Sequence, residues 1–265
     1  MNRRACENTP TFNLYLQRHQ LYPPQILNAP GRDLGLIVVI PCYDEPKLTE
    51  TLDTLLLCKR PHCHAEIIVV INASGKDPAR VHAQNERSFN EAKAWVSRYQ
   101  NPKLSFYVLL IPDMPEKVAG VGLARKIGMD EAVVRFHMTG NRDGIIASLD
   151  ADCVCDTNYL TALETHFMEH PETPACSIYF EHLPDQSVDG RSQEAINAYE
   201  LFLRYYIHGL RYSRFPHAFH TIGSCFAVRS SAYEAQGGMN RRQAGEDFYF
   251  LHKIIPLGGF TELRR

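Results

Sequence analysis

Leu36-Ile37-Val38-Val39-Ile40 is an unbroken apolar run that stops at Pro41-Cys42-Tyr43-Asp44-Glu45, and the pattern recurs down the chain. Ile67 to Ile71 gives way to Asn72-Ala73-Ser74, and Ile145 to Leu149 gives way to Asp150-Ala151-Asp152. A half-exposed strand alternates apolar and polar residues; a continuous apolar run is what a strand buried on both faces requires. Leu104 to Ile111 reads as a further strand. Helical spacing fills the intervals. Leu48, Leu52, Leu55 and Leu56 mark one helix, Pro78 to Arg98 a long polar one, and Leu123, Ile127 and Val134 another. A helix from about Thr157 to Glu169 and a strand near Ala175 to Phe180 follow. This alternation predicts an α/β fold, a mostly parallel sheet with helices on both faces. In such sheets the ligand lies beyond the carboxyl ends of the strands, which places the three polar segments at the candidate site.

The two ends of the chain read differently. Residues 1–35 look like an irregular arm, punctuated by Pro23, Pro24, Pro30 and Gly31. Ser192 to Tyr212 is expected to be helical, with Ile196, Tyr199, Leu203, Tyr206 and Leu210 on one face. A segment rich in aromatic residues and histidines follows, with His208, His217 and His220 in or beside it. His217 and His220 could line a pocket or offer a metal ligand; a packed loop is the favoured reading. Phe226-Ala227-Val228, a Gly237-Gly238 turn and Gly245-Glu246-Asp247 at a helix start complete the chain.

Composition excludes several classes. Hydrophobic residues make up 45% and charged residues 22% of the 265, an ordinary globular balance able to bury a large core. The formal net charge of −2 offers no basic excess for a nucleic-acid backbone. The N-terminal segment lacks the apolar stretch of a secretory signal, and no run approaches the roughly 20 residues that span a bilayer. A cytoplasmic protein is expected, with peripheral docking on the inner face of a membrane left open. The 8 cysteines are then expected to be reduced. Cys58, His62, Cys63 and His64 are spaced too tightly for a zinc knuckle and read as a loop between a helix and a strand.

Asp150-Ala151-Asp152 is the sharpest local signal. Two carboxylates at the end of a buried strand are costly unless a cation or hydrogen-bond donors compensate them. Mg²⁺ and Mn²⁺ accept one or two carboxylates together with substrate phosphates. A solvated acidic turn is the competing reading. Glu246-Asp247 follows Gly245 at a helix start, where the macrodipole favours carboxylates and simple capping would explain them. A general base acting on a hydroxyl is the functional alternative. Gly120-Val121-Gly122-Leu123-Ala124-Arg125-Lys126-Ile127-Gly128 could bring backbone amides and Arg125 to a diphosphate, although it matches neither the dinucleotide fingerprint nor a P-loop.

Taken in order, LGLIVVIPCYDEP, EIIVVINAS, GVGLARKIG, SLDADC, GSCFAVRSSAYEAQGGM and GEDFYF resemble the successive motifs of glycosyltransferase family 2. Each is weak alone, but the ordered set is specific and covers about Leu36 to Phe260. The resemblance implies a GT-A fold, a Rossmann-like sheet with an acceptor-side C-terminal region. It implies one domain over 36–265, with a nucleotide-sugar half at about 36–155 and an acceptor half at about 156–265. It further implies that Pro41, Tyr43, Glu45 and Asn72 line the nucleoside pocket and that Arg125 faces the nucleotide. Asp150 would contact ribose or metal, and Asp152 would ligate Mn²⁺ or Mg²⁺ under the diphosphate. Asp247 would be the base with Glu246 beside it, and the reaction would invert the anomeric centre. The partners would be a nucleotide-diphosphate-sugar donor and a glycan, lipid-linked or small-molecule acceptor.

There are departures from the family pattern. Asn72 stands where Asp is usual, which makes a uridine donor less secure, and Lys126 stands where Asn is common. No Gln-x-x-Arg-Trp motif is present, which disfavours a processive synthase. The chain ends at Arg265, where family members usually continue, as a truncated chain would. One rival is a sugar-phosphate nucleotidyltransferase, which would need a Gly-, Arg- and Lys-bearing loop where Cys42-Tyr43-Asp44-Glu45 stands. The other is a non-catalytic nucleotide-sugar-binding protein, which Asn72 keeps open and the retained Asp150, Asp152 and Asp247 oppose.

Overall fold

A computed structural model describes residues 14–99, 101–182 and 190–264. Its first half alternates strand and helix. β1 (Leu34–Cys42), α2 (Leu48–Leu57), β2 (His64–Ser74), α3 (Ala79–Arg98), β3 (Leu104–Met114), α4 (Val121–Thr139) and β4 (Ile145–Ser148) follow a short α1 (Leu14–His19). The second half contributes α5 (Tyr159–Glu169), β5 (Ala175–Ile178), α6 (Gly190–Tyr212), β6 (Phe226–Arg229), α7 (Ser230–Ala235), α8 (Glu246–Ile254) and β7 (Thr261–Leu263). Among the described residues the strands form one sheet in the order β3-β2-β1-β4-β6-β5-β7. β1 pairs in parallel with both β2 and β4, while β6 runs antiparallel to β4 and β5. Strands from both halves of the chain therefore share one sheet.

The apolar runs are continuous because both faces of the central strands are covered. Ile37 and Val39 of β1 point into a core shared with α4, α7 and α8 through Leu123, Tyr233 and Phe250. Leu36, Val38 and Ile40 point the other way, onto Leu52 of α2, Trp95 of α3 and Leu163 of α5. Every residue of β2 is buried. At roughly 25 cal/mol per Å² of apolar surface removed from water, these two layers are the main stabilising term.

α4 is the central helix, and its buried side chains include charges. Arg135 pairs with Glu66 of β2, both 0% exposed, and its guanidinium lies 4.7 Å from the Tyr107 ring centroid. Asp130 accepts hydrogen bonds from Tyr15 (2.6 Å) and Tyr233 (2.9 Å) and pairs with Lys126. Glu131 accepts the backbone N–H groups of Gln25 and Ile26. These contacts correct the expectation of an irregular arm up to residue 35. Residues 14–19 are helical, Tyr15 and Ile26 are buried, and β1 starts at Leu34. The first 13 residues of the arm lie outside the described residues. Among the described residues no helix is long and apolar enough to cross a membrane.

Candidate functional site

β1 and β4 are neighbours, yet the chain leaves β1 toward β2 and β3 on one side, so the strand order reverses between β1 and β4. A crevice beyond such a reversal is where open α/β sheets take ligands. A cavity of about 550 Å³ opens there. Pro41, Tyr43 and Glu45 enter it from the end of β1, Asn72 and Ser74 from β2, and Asp150 and Asp152 from β4. These include six of the site residues expected from sequence, Pro41, Tyr43, Glu45, Asn72, Asp150 and Asp152; Asp77, Glu116 and Gln243 of the lining were not anticipated. The turn Gly75-Lys76-Asp77-Pro78 before α3 was the available signal for Asp77.

Local hydrogen bonds hold the walls. Leu149 N–H donates to Val39 O (3.1 Å), carrying the β1–β4 pairing up to Asp150. Cys153 N–H donates to Asp150 O, and the Thr51 hydroxyl of α2 donates to Ala151 O (2.7 Å), so the acidic turn is anchored at both ends. Asn85 of α3 spans the tips of two strands, accepting from Asp44 N–H (2.9 Å) and donating to Asn72 O (2.9 Å). Asp44 takes a left-handed φ of 51°, a conformation Asp tolerates better than most residues. The Tyr43 hydroxyl donates to Asp77 (3.0 Å), whose other oxygen accepts Ser74 N–H.

The side chains lining the cleft carry five carboxylates, Glu45, Asp77, Glu116, Asp150 and Asp152, and no Arg or Lys. Asp152 is exposed, with the weak Cys153 thiol 3.9 Å away as a neighbour. Among the described residues no group of three or more His, Cys, Asp or Glu side chains could hold a metal ion by itself. The donor set suits a hard divalent cation that completes its shell with phosphate oxygens and water. Cys58, His62, Cys63 and His64 do not converge. Cys58 caps α2, His62 and Cys63 turn their N–H groups to Glu164, and the His64 ring meets Ser105.

Arg125, expected to face the nucleotide, is 3% exposed and absent from the cleft wall. Its guanidinium donates to Asp150 on one side and to Glu246 on the other. A Cβ at Gly223 would collide with that guanidinium, so the glycine leaves it room. A Cβ at Gly122 would collide with the Arg242 carbonyl oxygen and press on Glu246, so α4 and the start of α8 touch only because position 122 has no side chain. Glu246 is 3% exposed; burial raises its pKa above the usual carboxylate value even though Arg125 opposes the shift. Asp247 is half-buried outside the cleft lining, and its carboxylate accepts Phe248 N–H (2.7 Å). The seven described cysteines are free thiols, and burial pushes those of Cys42 and Cys153 beside the cleft up to about 12. They stay protonated near neutral pH, which disfavours a thiolate nucleophile.

His220 and His217 separate. His220 lines a second cavity beside α6, whereas His217 packs against Phe215 with its ring centroid 5.6 Å away.

The fold has counterparts among solved structures. S. aureus TarS 1-349 in complex with UDP-GlcNAc superposes with a TM-score of 0.56 at 16% identity, over 88% of this chain and 59% of that one. The mannosyltransferase PcManGT from Pyrobaculum calidifontis, in complex with GDP-Man and Mn²⁺, gives 0.53 at 16% identity, over 94% of this chain and 59% of that one. The chain thus spans less than two thirds of the length of these neighbours, and the likeness establishes a GT-A fold. No curated protein matches the sequence. Residues 37–237, well over half the chain, match the model described as glycosyl transferase family 2, and with the strand order and the acidic cleft already in place, the chain belongs to that family.

Proposed function

We propose that this protein is a metal-dependent, inverting glycosyltransferase that moves a sugar from a nucleotide-diphosphate-sugar to an acceptor hydroxyl. One observation carries the reading: a cleft at the β1/β4 reversal lined by five carboxylates and no Arg or Lys. Lys76 pairs with Glu116 and Arg125 with Asp150, which leaves Glu45, Asp77 and Asp152 to repel a diphosphate unless a divalent cation entered with it. Asp152 and Asp150 would hold Mn²⁺ or Mg²⁺, which when bound would supply the positive charge that the leaving nucleoside diphosphate requires. Gly120 and Val121, at the N-terminus of the 19-residue α4, also line the cleft, and the positive end of that helix would favour the diphosphate there.

The nucleoside would lie against Pro41, Tyr43 and Glu45. Asn72 is 2% exposed and its Oδ1 has no hydrogen-bond partner, which is costly in a buried amide. A ring N–H of the base would satisfy it. A carboxamide can accept or donate according to its orientation, so the position suits more than one base. The neighbours themselves are complexes with UDP-GlcNAc and GDP-Man. Arg125 is assigned a positioning role, joining Asp150 of the donor cleft to Glu246 of the acceptor side. With Glu246 occupied in this way, Asp247 is the carboxylate left to take the proton from the acceptor hydroxyl. As that oxygen bonds to the anomeric carbon, the bond to the diphosphate breaks.

The reading differs from a nucleotidyltransferase, which would need cationic side chains at the β1 loop. The test incubates the protein with several nucleotide-sugars and Mn²⁺ and follows nucleoside diphosphate release, with and without chelator. Release that depends on metal supports the reading. Donor binding and turnover undiminished in excess chelator would overturn the metal role, and release of pyrophosphate from a nucleoside triphosphate as a sugar phosphate becomes a nucleotide-sugar would overturn the glycosyltransferase.

A further inference from the structure

The sheet edge that carries the nucleotide cleft holds a second cavity farther along. β6 runs antiparallel to both β4 and β5, and β7 runs parallel to β5, so β4, β5 and β7 all end on the same edge. Where β5 and β7 end, a cavity of about 470 Å³ opens. One wall is α6, which turns Arg204, Ile207, His208 and Arg211 inward at the spacing of a single helical stripe. Tyr179 closes the cavity from β5 and Arg264 from β7. It shares no lining residue with the nucleotide cleft.

Its electrostatics are opposite to those of the cleft. The lining supplies three guanidinium groups, on Arg204, Arg211 and Arg264, and one carboxylate, on Glu262. Arg211 and Arg264 both donate to Glu262. Arg204 is held by Glu200 from outside the lining, with its guanidinium 5.2 Å from the Tyr179 ring centroid and 5.3 Å from that of Phe180. Within the lining three guanidiniums face one carboxylate; from outside it Glu200 holds Arg204 and Glu181 accepts the Tyr179 hydroxyl (3.1 Å). Each guanidinium has five N–H donors, and the Arg204 contacts involve Nε and Nη2, leaving Nη1 unclaimed by them. A cationic amino group of this kind, beside aromatic rings, suits an oxyanion attached to an organic body.

We propose that this cavity binds an oxyanion carried by the acceptor, a phosphate ester or a carboxylate, and so selects anionic acceptors. The proposal rests on the transferase reading for the identity of the ligand as acceptor, but the oxyanion site itself is testable alone. The full chain, with the nucleotide cleft saturated by nucleoside diphosphate and Mn²⁺, is titrated with inorganic phosphate and separately with acetate by calorimetry. Arg264→Glu is the main variant, because the side chain is 69% exposed and its loss should leave the fold intact. Arg211→Gln is the second, and Arg98→Glu, on the exposed end of α3, makes the same charge change as Arg264→Glu elsewhere.

The expected result is binding of at least one of the two anions by the wild type and by Arg98→Glu. Both cavity variants should weaken it by about tenfold or more, and tighter phosphate than acetate binding would identify the ester. Hydrolysis of donor in the absence of acceptor reports the cleft alone and should be unchanged in Arg264→Glu. Failure of both anions to bind, or equal weakening by Arg98→Glu and Arg264→Glu, would overturn the oxyanion site while intact donor hydrolysis left the transferase standing. Anion binding lost in Arg264→Glu, without donor hydrolysis in any protein, would support the site and remove the transferase.

Discussion

Arg125 and Glu246, 121 residues apart in sequence, are joined by an ion pair in which both side chains are 3% exposed. The second arm of the same guanidinium reaches Asp150, so one buried cation ties the acidic end of β4 to the start of α8. Removing it strands two carboxylates. Arg125→Ala is expected to destabilise the fold by about 3–5 kcal/mol, the usual cost of leaving a buried charge unpaired. Arg125→Met with Glu246→Leu removes both partners, and Asp150, at 38% exposure, can be solvated. The double variant should therefore recover most of that loss in urea unfolding. A double variant no more stable than Arg125→Ala would mean that the pair is not what position 125 contributes.

Asp152 differs because it is exposed and carries no structural load. Asp152→Asn should leave the melting temperature of the free protein unchanged. With Mn²⁺ and nucleoside diphosphate present it should lose the stabilisation that the wild type gains, as the wild type does in chelator. Thermal shift of both proteins, free and with Mn²⁺ and nucleoside diphosphate, and of the wild type with chelator added, checks this, and equal ligand-dependent shifts would remove Asp152 from the metal site.

Gly122→Ala tests the contact between α4 and the start of α8. The added methyl meets the Arg242 carbonyl oxygen, a backbone atom that cannot rotate away. A cost of about 1–3 kcal/mol is expected from such overpacking, with transfer impaired more than donor binding because the displaced segment carries Glu246 and Asp247. Separate measurement of donor affinity and of transfer rate decides it.

Much of this arrangement was readable in sequence, for identifiable reasons. β1 and β2 are buried on both faces, so their apolar runs are continuous, and the polar residues at their ends were located with them. Asp150 and Asp152 followed from β4 in the same way. The far side of the sheet was harder. β7 has three residues and β6 four, too short for a period to register, and the reversal of β6 leaves no local trace. α1 was missed because what fixes it is the hydroxyl of Tyr15 on Asp130, 115 residues away. Arg125 was read as a nucleotide contact because a Gly-rich loop precedes it. Its neighbours Lys126, Asp130, Glu131 and Arg135 are all buried, and each is matched by a group that the sequence alone cannot place beside it.

Glu200 offers a pH signature for the wall of the second cavity. Burial alone would raise its pKa, but hydrogen bonds from His182 and Arg204 outweigh this and hold it at about 2. A carboxyl held below its unfolded value of 4.5 stabilises the fold above that pH and loses the contribution as pH falls toward about 2. Glu200→Gln should therefore cost about 1 kcal/mol or less near neutral pH, as befits a partly exposed pair. The difference from wild type should shrink as pH drops below about 4. Urea unfolding across that range measures it, and a gap independent of pH would assign the loss to packing instead.

Asp247 is the group on which the chemical step depends in this reading. Glu246 is buried against Arg125, whereas the Asp247 carboxylate is half-buried and engaged by the Phe248 N–H next to it. An acceptor alcohol is a poor nucleophile at neutral pH, and a positioned base contributes typically about 10²–10⁴-fold to its reaction. Asp247→Asn keeps an oxygen for the Phe248 N–H, so the start of α8 should persist, but the carboxamide cannot take the proton. The variant is expected to fold, to bind metal and nucleotide-sugar nearly as the wild type does, and to transfer at least about 100-fold more slowly. If Asp247 only stabilised the helix start, Asn would serve almost as well and the rate would hardly change. A pre-steady-state transfer assay, with donor affinity measured separately, tells the two apart. Since Glu246 is committed to the ion pair, a wild-type rate in Asp247→Asn would leave the proton to a group outside α8, and a carboxylate of the cleft such as Asp150 or Glu45 would be the next to replace.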